Sequence, residues 1–200
     1  MKNKKRTLPL IVILFIGTTF EAPDFDTAPE EQTHIIKIGE TLWDLSRECY
    51  GNRHFSRIIL LHNNIEDETK LHTGQTIHVP DLKTLLEREG LFTIAKTEME
   101  YIVDSYAIMR NSQSQNERGK YFIEAADLLN KASSSLRHNE HITSLPEHMI
   151  KRIEEAAELM NRLAVMKQGS SYFSKHFDLA EQKIVSALYN AIKWARNGFE

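Results

Sequence analysis

Two hydrophobic periodicities divide the chain. Ile35, Ile36 and Ile38 form a short β-branched run that predicts a strand over 35–38. Gly39 follows, where the backbone can leave the strand sharply. Leu42, Leu45 and Cys49 then fall at the three-to-four spacing of one helix face, with Trp43 and Tyr50 beside them. Thr41 is placed to cap that helix and Gly51-Asn52 to end it. The stretch HFSRIILLHN predicts a second short helix with Phe55, Ile58, Ile59 and Leu61 as its apolar positions, stopped at Asn63-Asn64. A polar loop with Leu71 and Gly74 leads to a last strand over 76–79, closed by Pro80. Strand, helix, helix, strand predicts a small α+β unit whose two strands pair antiparallel with both helices on one face.

From Leu82 onward the pattern is helical throughout. A first helix is expected from about Leu82 to Met109, with Gly90 as a candidate break. Phe122, Ala125, Leu128, Leu129, Ala132 and Leu136 mark the face of a second. Met149, Ile153, Ala156, Met160, Leu163 and Ala164 mark a third, with Pro146 near its start, where proline is tolerated. Phe173, Phe177, Ile184, Leu188, Ala191 and Ala195 mark a fourth. Polar clusters at 111–119, 138–146 and 167–171 separate them. Short links make consecutive helices antiparallel neighbours, so the expectation for 82–200 is an all-α bundle of four helices.

The N-terminus changes the picture. Lys2, Lys4, Lys5 and Arg6 precede an apolar run of about 13 residues from Leu8 to Phe20. A membrane span needs about 20 residues, so residues 1–22 are expected to be an export signal peptide, or a signal anchor if uncleaved. Gly17-Thr18-Thr19 is only a weak cleavage motif. Residues 23–33 carry acidic residues and no basic one, which reads as a tether. The chain as a whole has 25 Lys and Arg against 28 Asp and Glu, which argues against a general nucleic-acid binder. Charges over 82–200 balance at sixteen of each sign, as a solvated surface would. Cys49 is the single cysteine, so no internal disulfide forms; it reads as a small apolar residue.

Residues 34–81 resemble a LysM (lysin motif) module. The resemblance rests on IKIGETLWDLS, on YGN between the helices, on ILLHNNI after the second helix and on LHTGQTIHVP at the end, in that order. It covers about a quarter of the chain and says nothing of 82–200. It implies a βααβ fold and non-catalytic binding of glycans containing N-acetylglucosamine, such as peptidoglycan or a chitin-like glycan. It also implies a shallow site between two loops: Gly39, Glu40, Thr41 and Leu42 in the first, Asn64, Ile65 and Glu66 in the second. Exposed backbone groups there would pair with acetamido groups, and Leu42 and Ile65 would touch the methyl. Glu40 stands where the family more often has aspartate, and no proline accompanies Ile65. Trp43 reads as a core or semi-buried packing residue, with sugar stacking as the other reading.

The remaining constellations read as solvated surface. The histidines of the module lack ligand spacing, and His138, Glu140, His141 and His148 do not match the two-histidine helical pattern of a zinc protease. Glu87, Glu89, Glu98 and Glu100 lie on a polar helix face rather than forming a glycosidase pair. The expectation is a non-enzymatic, cofactor-free exported protein of the periplasm or cell envelope, touching membrane only through its N-terminal segment. Its helical domain would be a spacer or dock a protein partner, with Tyr172, Trp194 and Phe199 as a candidate exposed patch. The alternative is a cell-wall hydrolase with a helical catalytic domain.

Overall fold

The computed structural model describes residues 32–112, 118–139, 142 and 145–198. Residues 1–22 and 23–31, expected as signal segment and tether, together with Glu140, His141 and Phe199, lie outside the described residues. The order is β1 (Gln32–Ile35), α1 (Leu42–Tyr50), α2 (Ser56–His62), β2 (Thr76–Val79), α3 (Leu82–Arg88), α4 (Leu91–Asn111), α5 (Arg118–His138), α6 (Glu147–Val165) and α7 (Ser171–Arg196). Single 3-10 turns at Arg53–Phe55 and Glu68–Lys70 precede α2 and β2. The architecture is α+β at the start and helical from residue 82.

β1 and β2 pair antiparallel, with Gln32 opposite Val79 and Ile35 opposite Thr76. The first strand therefore lies three residues earlier than its apolar run predicts. The reason is the face that must be covered: Ile77 and Val79 point into the core, opposite His34 and Gln32. Ile36 is buried just beyond the strand, whereas Ile38 is 90% exposed. Three isoleucines mark the segment, but only one of them is core.

The helices follow their caps. Thr41 and Asp44 form a reciprocal capping box at the start of α1, and Gly51 ends it with a φ of 68°. That glycine also lies against the Arg110 side chain of α4. A Cβ placed there would lie 2.4 Å from a guanidinium nitrogen of Arg110 on α4. Residues 82–109, expected as one helix, form two: α3 stops at Glu89 and α4 starts after Gly90, with Ala95 in a non-helical conformation near its start. α4 packs on α5, α5 on α6, α6 on α7, and α7 returns to touch α4. The predicted faces of α5, α6 and α7 are the buried ones, with Leu128 and Ala164 at their half-buried edges.

One continuous hydrophobic core runs across the point where the strand-and-helix unit meets the helices. Phe55 is its hinge piece: it stacks on Tyr50 with centroids 4.7 Å apart and meets the edge of Tyr106 on α4 at 5.2 Å. The Tyr50 hydroxyl donates to the Pro80 carbonyl, tying the end of α1 to the end of β2. Polar contacts surround this centre. Arg53 and His54 both reach Asp178 on α7, at 3.2 and 3.0 Å. Arg110 pairs with the buried Glu181 at 2.8 Å; burial pushes the Glu181 carboxyl up to about 7 against the pull of Arg110. Arg196 forks onto Glu89 at 2.6 and 3.0 Å and donates to the Leu61 carbonyl at 2.5 Å.

Because the core is shared, residues 32–198 are expected to unfold in one cooperative transition. Phe55→Ala should destabilise the whole by about 3–5 kcal/mol. Urea denaturation followed separately by far-UV circular dichroism and by tryptophan fluorescence checks this; two separated transitions would show that the unit and the helices stand independently.

Candidate functional site

The first loop is braced from within. Gly39 has a φ of 77° and is exposed. Glu40 folds its carboxylate back over the turn, where Oε2 accepts the Lys37 N–H at 2.8 Å and lies 2.8 Å from His34 Nε2. The Lys37 N–H, and then His34, hold the Glu40 carboxyl below the usual carboxylate range. The Glu40 N–H donates to the Lys37 carbonyl at 3.2 Å. Thr41 spends both its hydroxyl and its N–H on Asp44, at 2.7 and 3.2 Å. The Leu42 N–H donates to Glu68 Oε1 at 2.7 Å.

Leu42 itself corrects one expectation. Its side chain is 0% exposed and belongs to the core, so it is not an apolar contact for a bound methyl group. In the second loop, Asn64 is exposed in the left-handed region at φ 54° and donates its N–H to Leu61 at 3.3 Å. Ile65 donates its N–H to the Leu60 carbonyl at 3.0 Å, and its half-buried side chain packs against the core. Glu66 is exposed and paired with Lys70.

The two loops are neighbours, and Glu68 is what joins them. It sits two residues beyond Glu66 and crosses to the first turn of α1, satisfying an N–H that a helix start leaves orphaned. Pattern reading missed Glu68, because one acidic residue in the polar loop IEDETK carries no periodicity. The neighbouring Asp67, which caps the 3-10 turn at 2.9 Å, was the only local signal. To solvent the loops present Gly39, Thr41, Asn64, Glu66 and part of Ile65. That is a shallow polar surface with a small apolar edge.

Trp43 stands on α1 next to this surface. It is 51% exposed, with the Arg53 guanidinium 5.7 Å from its ring centroid, so it is an exposed aromatic covered by a cation rather than the core or semi-buried residue its place on α1 predicts. The four glutamates of the helical region are engaged separately or solvated. Glu89 binds Arg196, Glu98 is buried and accepts from Ser135, Glu100 pairs with Lys96, and Glu87 is exposed. No group of three His, Cys, Asp or Glu among the described residues is arranged to hold a metal ion. No described helix is long and apolar enough to cross a membrane. The candidate aromatic patch does not assemble as expected, because Trp194 is buried while Tyr172 is exposed. Compared with protein-family models, curated proteins and solved structures, the chain has no match.

Two outcomes follow from the loop contacts. Glu68→Ala leaves the Leu42 N–H without its carboxylate and should lower stability by about 1–2 kcal/mol, measured by urea denaturation at pH 7. Glu40 has a folded-state pKa below its unfolded one. It therefore contributes stability above the unfolded value, and that stability is lost as pH falls through the folded value. Glu40→Gln should accordingly be less stable than the parent at pH 7, with the difference shrinking toward pH 3; a constant difference across that range would contradict it.

Proposed function

We propose that the protein is a non-catalytic glycan-binding protein of the bacterial cell envelope. In this reading residues 34–81 are a LysM-like βααβ module that holds peptidoglycan or another glycan containing N-acetylglucosamine. α4 to α7 form a four-helix bundle that serves as a spacer or docks a partner protein. The N-terminal segment directs export, and peptidoglycan is the ligand that awaits the protein there.

One observation carries the reading: two exposed loops, distant in sequence, lie side by side and are tied by the bond from Leu42 to Glu68. Those are the loops that the resemblance marks for sugar contact. Their internal hydrogen bonds keep the surface rigid, so little ordering accompanies binding. Gly39, Asn64 and Ile65 supply backbone and a small apolar edge for an acetamido group. Glu40 and Leu42 act as braces for that surface, a supporting role rather than direct contact.

Sedimentation with insoluble peptidoglycan tests it. The protein should pellet with the polymer, chitin oligosaccharides should compete it off, and no soluble muropeptides should appear. Protein left in the supernatant would remove the reading. Muropeptide release would replace it with a hydrolase.

A further inference from the structure

A second concave surface lies between the small unit and the helices. It is a cleft of about 370 Å³, walled by Trp43, Arg53 and Arg57 on one side and by Arg152, Lys183 and Tyr189 of α6 and α7 on the other. Four cationic side chains converge on it from four elements, the 3-10 turn at Arg53, α2, α6 and α7, and no carboxylate lines it. Two carboxylates partly balance them. Asp178 holds Arg53 at 3.2 Å, while Glu155 holds Arg152 at 3.2 Å and also pairs with Lys183. Arg57 is exposed and has no ion pair or hydrogen bond among the described residues. Surface arginines are usually just solvated, each on its own. Here they share a concavity with a half-exposed indole and leave a positive excess, which is a setting for an anion attached to an apolar or ring-bearing group.

The cleft and the first loop meet α1 at neighbouring residues. Trp43, which lines the cleft, directly follows Leu42, the last residue of the first loop, so the loop and the cleft share the start of α1. Peptidoglycan sugars carry short peptides whose free groups at neutral pH include several carboxylates. We infer that the cleft between Trp43 and Lys183 binds the carboxylates of the peptide attached to the glycan strand, with Arg57 as its uncommitted cation. This rests on the glycan reading for the ligand's identity, while the anion site itself rests on the cleft. Arg57 forks onto a carboxylate, Lys183 adds a point charge, and Trp43 covers the apolar part of the peptide or the adjoining sugar.

The test uses the full chain and three probes: a disaccharide-tetrapeptide muropeptide, a chitin oligosaccharide without charge, and inorganic phosphate. Binding is followed by isothermal calorimetry and by the fluorescence of Trp43, with Trp43→Phe as the control that should abolish the optical signal. The muropeptide is expected to bind about tenfold tighter than the neutral oligosaccharide, and the excess should vanish in high salt. Arg57→Ala and Arg57→Glu should lose that excess while binding the neutral sugar as the parent does. Their unchanged thermal midpoints would show that the fold is intact, since Arg57 has no partner among the described residues. Equal affinity for the charged and neutral probes, or an excess that survives Arg57→Glu, overturns the inference and leaves the glycan reading standing. Muropeptide binding that depends on Arg57 without any binding of the neutral sugar keeps the cleft and removes the glycan reading. Phosphate competing as strongly as the muropeptide would overturn the assignment to peptide carboxylates.

Discussion

The ring of Phe55 sits between Tyr50 and Tyr106, and the arrangement of the protein depends on it. A two-stranded sheet with two helices of nine and seven residues offers little area for burial. Short helices of this kind are held by packing rather than by propensity. Phe55 ends the turn ahead of α2 and projects apolar surface outward from the small unit, where α4 meets it. The unit thereby extends its core into that of the helices, and the result is one hydrophobic interior.

Around that apolar contact the polar pairs set orientation. Asp178 gathers Arg53 and His54, and Arg196 reaches both Glu89 and the carbonyl of Leu61 near the end of α2. Buried or half-buried pairs of this kind add little net stability, because each charge gives up water to form them. Their geometric demand is strict, however, and a slipped docking would leave charges unpaired. Gly51 lies beside the same contacts: its left-handed φ of 68° disfavours a side chain, and a Cβ there would displace the Arg110 guanidinium, whose partner is Glu181 on α7.

The docking has a chemical consequence. It brings α6 and α7 opposite the first helix of the small unit, so that cations of two regions line one cleft. Trp43, which lines that cleft, directly follows Leu42 of the first loop in the chain. A polymer carrying neutral sugars and charged side branches presents both kinds of group at once. In the proposed reading the loop turn, with Glu40 and Thr41 bonded inward, takes the neutral part. In that reading the arginine and lysine side chains of the cleft take the charged part.

Much of the local structure was legible in the residues themselves. Thr41 with Asp44, Gly51, Asn63-Asn64 and the spaced apolar positions of α5, α6 and α7 announce their elements through short-range sterics and hydrogen bonding. Such signals depend only on neighbours a few residues away, so a chain displays them directly. The register of β1 was not legible, because Ile35, Ile36 and Ile38 look alike until β2 selects which face is covered. The same holds for Leu42, which pattern alone cannot divide between ligand contact and core, and for Glu68, whose partner lies 26 residues away. What the sequence determined by itself was the set of elements and the two loops between them, since those follow from local chemistry. Only the tertiary structure decided which loop groups remain open to a ligand and that four cations meet beside Trp43, because both depend on how surfaces far apart in the chain are pressed together by a shared core.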